Sequence, residues 1–129
     1  MEKTKRKHLS DLHFEHQLWS MEAGFYIDEL KIYQNWLEEI AAKNTDKDVL
    51  VQVEHFQNQF IIQKDQLATV NHEVKEHEHW LSSYAEQHPV AIDHRYFEDH
   101  GILRDKMDTF KTLYKGLKSD FIRFVDHWM

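Results

Sequence analysis

Apolar residues recur in alternating steps of three and four along almost the whole chain, and a sequence patterned this way can bury them only by laying helix against helix. One seam runs Leu9, Leu12, His16, Trp19, Ala23, Tyr26, Leu30, Tyr33, Leu37 and Ile40. A second runs from Val49 through Val53, Phe56, Phe60, Gln63, Leu67, Val70, Val74 and His77 to Leu81 and Tyr84. A third runs from Tyr96 through His100, Leu103, Met107, Phe110, Tyr114, Leu117, Phe121 and Phe124 to Trp128. Only His16, Gln63, His77 and His100 break the apolar rule within these seams.

Two short breaks separate the seams. Lys43-Asn44-Thr45-Asp46 lies between the first two, where Thr45 and Asp48 are spaced like a capping box. His88-Pro89 lies between the second and third, because proline disfavours helix in the residue before it and is tolerated in a first turn. With only three glycines and one proline, the chain lacks the turn residues of a β protein. The expected fold is all-α: a single domain over 1–129, a long antiparallel up-down-up three-helix bundle with coiled-coil-like heptad packing. Its helices are expected at about 9–44, 46–87 and 89–128, after a basic tail at 1–8. Rods of this size are roughly 50 to 60 Å long. The architecture resembles that of spectrin-type repeats, and no motif names a family.

Across a tight antiparallel turn, facing residues have numbers that add to a nearly constant value. Turns centred between Asp46 and Lys47 and between His88 and Pro89 therefore set Trp19 against Val74 and Leu103, Tyr26 against Leu67 and Phe110, and Leu37 against Phe56 and Phe121. The same registers bring His16, His77 and His100 to one level. Gln63 falls beside Leu30 and Tyr114, where an amide-to-phenol hydrogen bond is expected.

Three imidazoles converging on one axis supply three nitrogen ligands for a transition metal and leave a fourth position open. The candidate metal residues are His16, His77 and His100, with Glu73 one turn before His77 as a carboxylate ligand unless Arg104 claims it. Glu15 and Asp99 flank the layer as acceptors for imidazole N–H groups. Zinc ranks ahead of copper or iron, and no organic cofactor is expected. The competing reading is a metal-free interaction or scaffold protein whose buried histidines set helix register. Glu76 with His79, and His72 with Glu76, have spacings that resemble diiron carboxylate and haemerythrin-like bundles. One Glu-x-x-His match, on a face directed outward in this register, carries none of their oxygen chemistry to this chain. No serine triad, phosphate-cradling glycine loop or inward acid pair is recognisable, so no catalytic residue is assigned.

The first helix carries a second apolar stripe, Phe14, Leu18, Met21, Phe25 and Ile32, opposite its seam. A stripe of this kind predicts a homodimer or a helical protein partner. A net charge of −7, with eleven histidines counted as neutral, lacks the basic footprint of a nucleic-acid binder. The acids interleaved on the first helix also argue against membrane binding. Absence of cysteine removes disulfides and thiolate ligands and fits a cytoplasmic protein.

Overall fold

The computed structural model of the chain describes residues 2–87 and 94–129, with side chains described over 11–83 and 98–129. Among the described residues it consists of three helices, α1 (Glu2–Lys43), α2 (Lys47–Gln87) and α3 (His94–Trp128), with no strand. Each helix packs on both of the others, as in a bundle. None of the described helices is long and apolar enough to cross a membrane.

Helix boundaries follow local chemistry. The helix begins at Glu2, so residues 2–8, expected as a tail, are helical in backbone. That stretch has no glycine or proline to stop a helix, and lysine and arginine are good helix formers. At its other end, Asn44 Nδ2 donates to the Ile40 carbonyl at 2.8 Å and satisfies one of the last orphan acceptors. The start of α2 is capped by Asp46, whose Oδ1 accepts the Asp48 N–H at 2.9 Å. Asp46, rather than Thr45, is thus the N-cap of a helix that begins at Lys47. The expected start of α3 at residue 89 lies outside the described residues.

The seams are where the burial is. Among the described side chains the buried polar residues are His16, Gln63, His77 and His100, the same four that interrupt the apolar pattern. The larger apolar cluster contains Leu37, Ile40, Phe56, Phe60, Phe121 and Phe124, with Phe121 in ring contact with Tyr33 at 4.8 Å and Phe60 at 4.9 Å. Each such side chain, fully buried, contributes about 1.5–3 kcal/mol of transfer free energy. The smaller cluster contains Trp19, Val70, Val74, Leu103 and Met107, which includes the expected Trp19–Val74–Leu103 layer, and the histidines adjoin it.

Beside the seam, Glu15, Glu22 and Glu29 pair with Arg104, Lys111 and Lys118, so the acids on α1 and the cations on α3 both advance in steps of seven. Pairs this exposed add little stability individually. Tyr114 donates its hydroxyl to Glu29 Oε1 at 2.6 Å, not to Gln63 as expected. A carboxylate is the stronger acceptor for a phenol, and Gln63 Oε1 is left buried without a hydrogen-bond partner among the described residues.

Candidate metal centre

His16 on α1, His77 on α2 and His100 on α3 meet inside the bundle, with residue exposures of 2%, 9% and 1%. One ligand atom from each lies within 4.8 Å of the others. Ring centroids are 5.0 Å apart for His16 and His100, 5.1 Å for His16 and His77, and 5.9 Å for His77 and His100. The seams explain the convergence, because His16, His77 and His100 each lie one turn from a buried core residue, Trp19, Val74 and Leu103 respectively. Trp19 closes one side, stacking on His100 with centroids 4.9 Å apart.

The ring nitrogens of His16 and His100 have defined partners. His16 Nδ1 lies 2.5 Å from Glu78 Oε2, while its Nε2 lies 3.1 Å from His100 Nδ1. His100 Nε2 lies 2.9 Å from Glu15 Oε1. Glu78 also takes His13 Nδ1 through its other oxygen, and Glu15 is held by Arg104. Polar contacts thus cross the bundle from half-exposed His13 through Glu78, His16, His100 and Glu15 to half-exposed Arg104.

Electrostatics favour a neutral His100. Burial pushes its imidazole below the ordinary histidine value, against the opposing pull of the Glu15 carboxylate. The Arg104 guanidinium in turn holds the Glu15 carboxyl below its ordinary value, which keeps it an acceptor. An uncharged imidazole with an N–H anchored on a carboxylate is the form in which histidine ligates metals.

Glu73 stands outside the three-histidine group. Its Oε2 lies 2.8 Å from Lys106 Nζ, and Arg104, the expected competitor for it, pairs with Glu15 instead. Glu73 does line, with Glu76, Asp99 and Trp80, a cavity of about 320 Å³ that reaches His77. A second cavity, about 710 Å³, reaches His16 from the other side beside His13, Lys75 and Glu78. The outward assignment of His72 and Glu76 holds: both are exposed and pair with each other at 3.0 Å.

Glu78 is the residue that the seam pattern missed. It directly follows seam residue His77, and His13 and His16 lie one turn apart on α1, so one carboxylate can engage both. That spacing was available in the sequence. Glu15 was placed beside the layer, but its partner is His100 on α3, not its neighbour His16. Comparison of the chain with family models, with curated proteins and with solved structures gave no match.

Proposed function

We propose that the protein is a small cytoplasmic helical-bundle protein that binds a divalent transition metal, zinc ahead of copper or iron, through His16, His77 and His100. The observation that carries this reading is the meeting of His16 Nε2 and His100 Nδ1 at 3.1 Å while both outer nitrogens face carboxylates. A carboxylate only accepts, so His16 Nδ1 and His100 Nε2 carry the N–H groups that face Glu78 and Glu15. With one N–H on each ring, two lone pairs would face each other, an arrangement that repels until a cation lies beside them. Three nitrogens at about 2.0–2.1 Å from a tetrahedral ion stand about 3.3 Å from one another, close to the spacing of this pair. Glu78 and Glu15 would fix the tautomers and raise ligand basicity. The fourth position would take water, or Glu73 if that carboxylate exchanged Lys106 for the metal.

We also propose that the bundle has up-down-up topology with heptad packing. It agrees with the burial of the seams and with the Glu–cation ladder between α1 and α3, in which both residue numbers rise together.

Zinc titration against a competing chelator tests the proposal. One equivalent per chain should bind tightly, and His77→Ala and His100→Ala should each weaken binding by more than about a hundredfold. Weak binding left unchanged by both substitutions would favour the metal-free scaffold, in which the histidines only set register.

A second copy of the chain is the partner that the α1 stripe suits best. Phe14, Leu18, Met21, Phe25 and Ile32 are all exposed, Met21 at 73%. With Asp28 they form a row whose steps of four and three read the same in both directions. An antiparallel copy would therefore set Phe14 against Ile32 and Met21 against Phe25, the self-complementarity that a two-fold interface requires. Wild-type protein should sediment as a dimer and Phe25→Glu as a monomer; a monomeric wild type at high concentration would reject this pairing.

A further inference from the structure

The residues that directly precede the seam positions form a second row on α2 and on α3. On α2 the row is Gln66, Thr69, Glu73, Glu76 and Trp80. On α3 it is Asp99, Ile102, Lys106, Thr109 and Leu113, and both rows advance in alternating steps of three and four. All of these residues line one or other of two cavities between the helices, of about 320 and 400 Å³, which share Glu73 and Ile102. The two cavities are thus parts of one groove, about 21 Å long from Asp99 to Leu113, or roughly four turns of helix. Buried Val70, Leu103 and Phe110 contribute to its lining, while Trp80, Ile102 and Leu113 stand 64%, 53% and 57% exposed along it. Large apolar side chains left bare in a row mark an interaction surface.

Charge decides what covers it. Among the described residues the groove is lined by the acids Glu73, Glu76, Asp99 and Asp105 and by a single lysine or arginine, Lys106, which Glu73 already holds at 2.8 Å. The surplus is negative and falls beside Trp80, where the lining has three carboxylates and no lysine or arginine. A second copy of α1 carries the same sign, since Glu15, Glu22 and Asp28 interleave its apolar stripe. We propose that the groove receives an amphipathic helix from another protein, with aliphatic residues at heptad spacing and lysine or arginine beside them. Such a helix would lie along α2 and α3 as a fourth member of the bundle, its apolar stripe covering Ile102, Leu113 and Trp80 and its cations facing Glu76 and Asp99. This inference does not depend on the histidine centre or on the pairing of α1.

The test titrates the full chain with two helical peptides of about four turns, followed by amide chemical shifts. Both carry the same leucine heptad stripe, flanked in one by lysine and in the other by glutamate. The lysine peptide should saturate and shift Thr69, Trp80, Ile102 and Leu113. The glutamate peptide should bind about tenfold more weakly, the sum of a few exposed charge pairs, and the difference should shrink in high salt. Ile102→Glu, at an exposed position, should weaken the lysine peptide by about tenfold or more, the worth of one covered aliphatic side chain. Leu113→Glu reads the same loss should that variant fail to fold. Glu76→Lys with Asp99→Lys should remove the preference, whereas Glu38→Lys with Glu54→Lys, an equal change of charge at exposed positions elsewhere, should preserve it. Equal affinity of the two peptides for wild type, insensitivity to both Ile102→Glu and Leu113→Glu, a preference lost equally in the two double variants, or shifts confined to the α1 stripe would each overturn the proposal.

Discussion

The two ends of this bundle solve the problem of filling a three-helix axis in opposite ways. At one end Tyr33, Phe56, Phe60 and Phe121 pack ring against ring with no histidine, acid or base among them. At the other, three imidazoles occupy the corresponding seam positions, and two of them, His16 and His100, are bridged to carboxylates that reach in from the flanks. Aromatic packing gives transfer free energy without conditions, whereas a polar layer contributes only if each donor and acceptor is matched. The first end holds the helices together, and the second is where selective chemistry is possible.

The largest expected effect separates the two ends. Phe121 is fully buried, so Phe121→Ala should cost about 3–5 kcal/mol in a denaturant titration. Replacing His16, His77 and His100 together by leucine should leave stability equal or higher, because a buried polar network often contributes less than an apolar core of similar volume. A triple variant that fails to fold would make the histidine layer as structural as the aromatic one.

Next in size is an effect confined to the polar end. Glu78→Gln should weaken zinc binding by about 10- to 100-fold, since it removes the carboxylate that orients His16, while the thermal midpoint of metal-free protein moves little. Unchanged affinity would mean that Glu78 does not set the His16 tautomer.

An alkaline titration probes the boundary between the ends. Burial, reinforced by Glu29, holds the Tyr114 hydroxyl well above the ordinary tyrosine value of 10.0, and burial raises Tyr33 in the same direction. The unfolded chain loses these protons first as pH rises. Their contribution is therefore complete below about pH 10 and lost progressively above it. Denaturation midpoints measured across this range should fall, and more gently in Tyr114→Phe; identical slopes would remove Tyr114 as the cause.

Smallest is a change to which the ends should respond alike. A Cβ added at Gly101, beside the histidine layer, or at Gly116, in the aromatic half, meets nothing within 4 Å. Gly101→Ala and Gly116→Ala should each stabilise the helix by about 0.5–1 kcal/mol in chemical denaturation. A loss at Gly101 alone would show that α3 needs local freedom next to His100.

The aromatic end was legible from spacing, because apolar side chains on a seam have one place to go. The meeting of His16, His77 and His100 was legible for the same reason, as seam residues share the register of their neighbours. Choices among flanking residues were not. Glu15 bonds His100, Glu73 takes Lys106 instead of Arg104, and Tyr114 takes Glu29 instead of Gln63. Each choice turns on side-chain length and rotamer, with competing partners a turn apart. Helix ends were similarly ambiguous: Asp46 prevailed over Thr45 as the cap of α2, and α1 extends to Glu2 through residues with no breaker among them.

X-ray absorption at the zinc edge of loaded protein addresses the central claim most directly. Three histidine ligands predict nitrogen scatterers at about 2.0–2.1 Å in four-coordinate geometry, with an imidazole outer-shell signature that is lost in His16→Ala and His100→Ala. A spectrum of six light ligands, or one that both substitutions leave unchanged, would contradict a metal centre on the bundle axis.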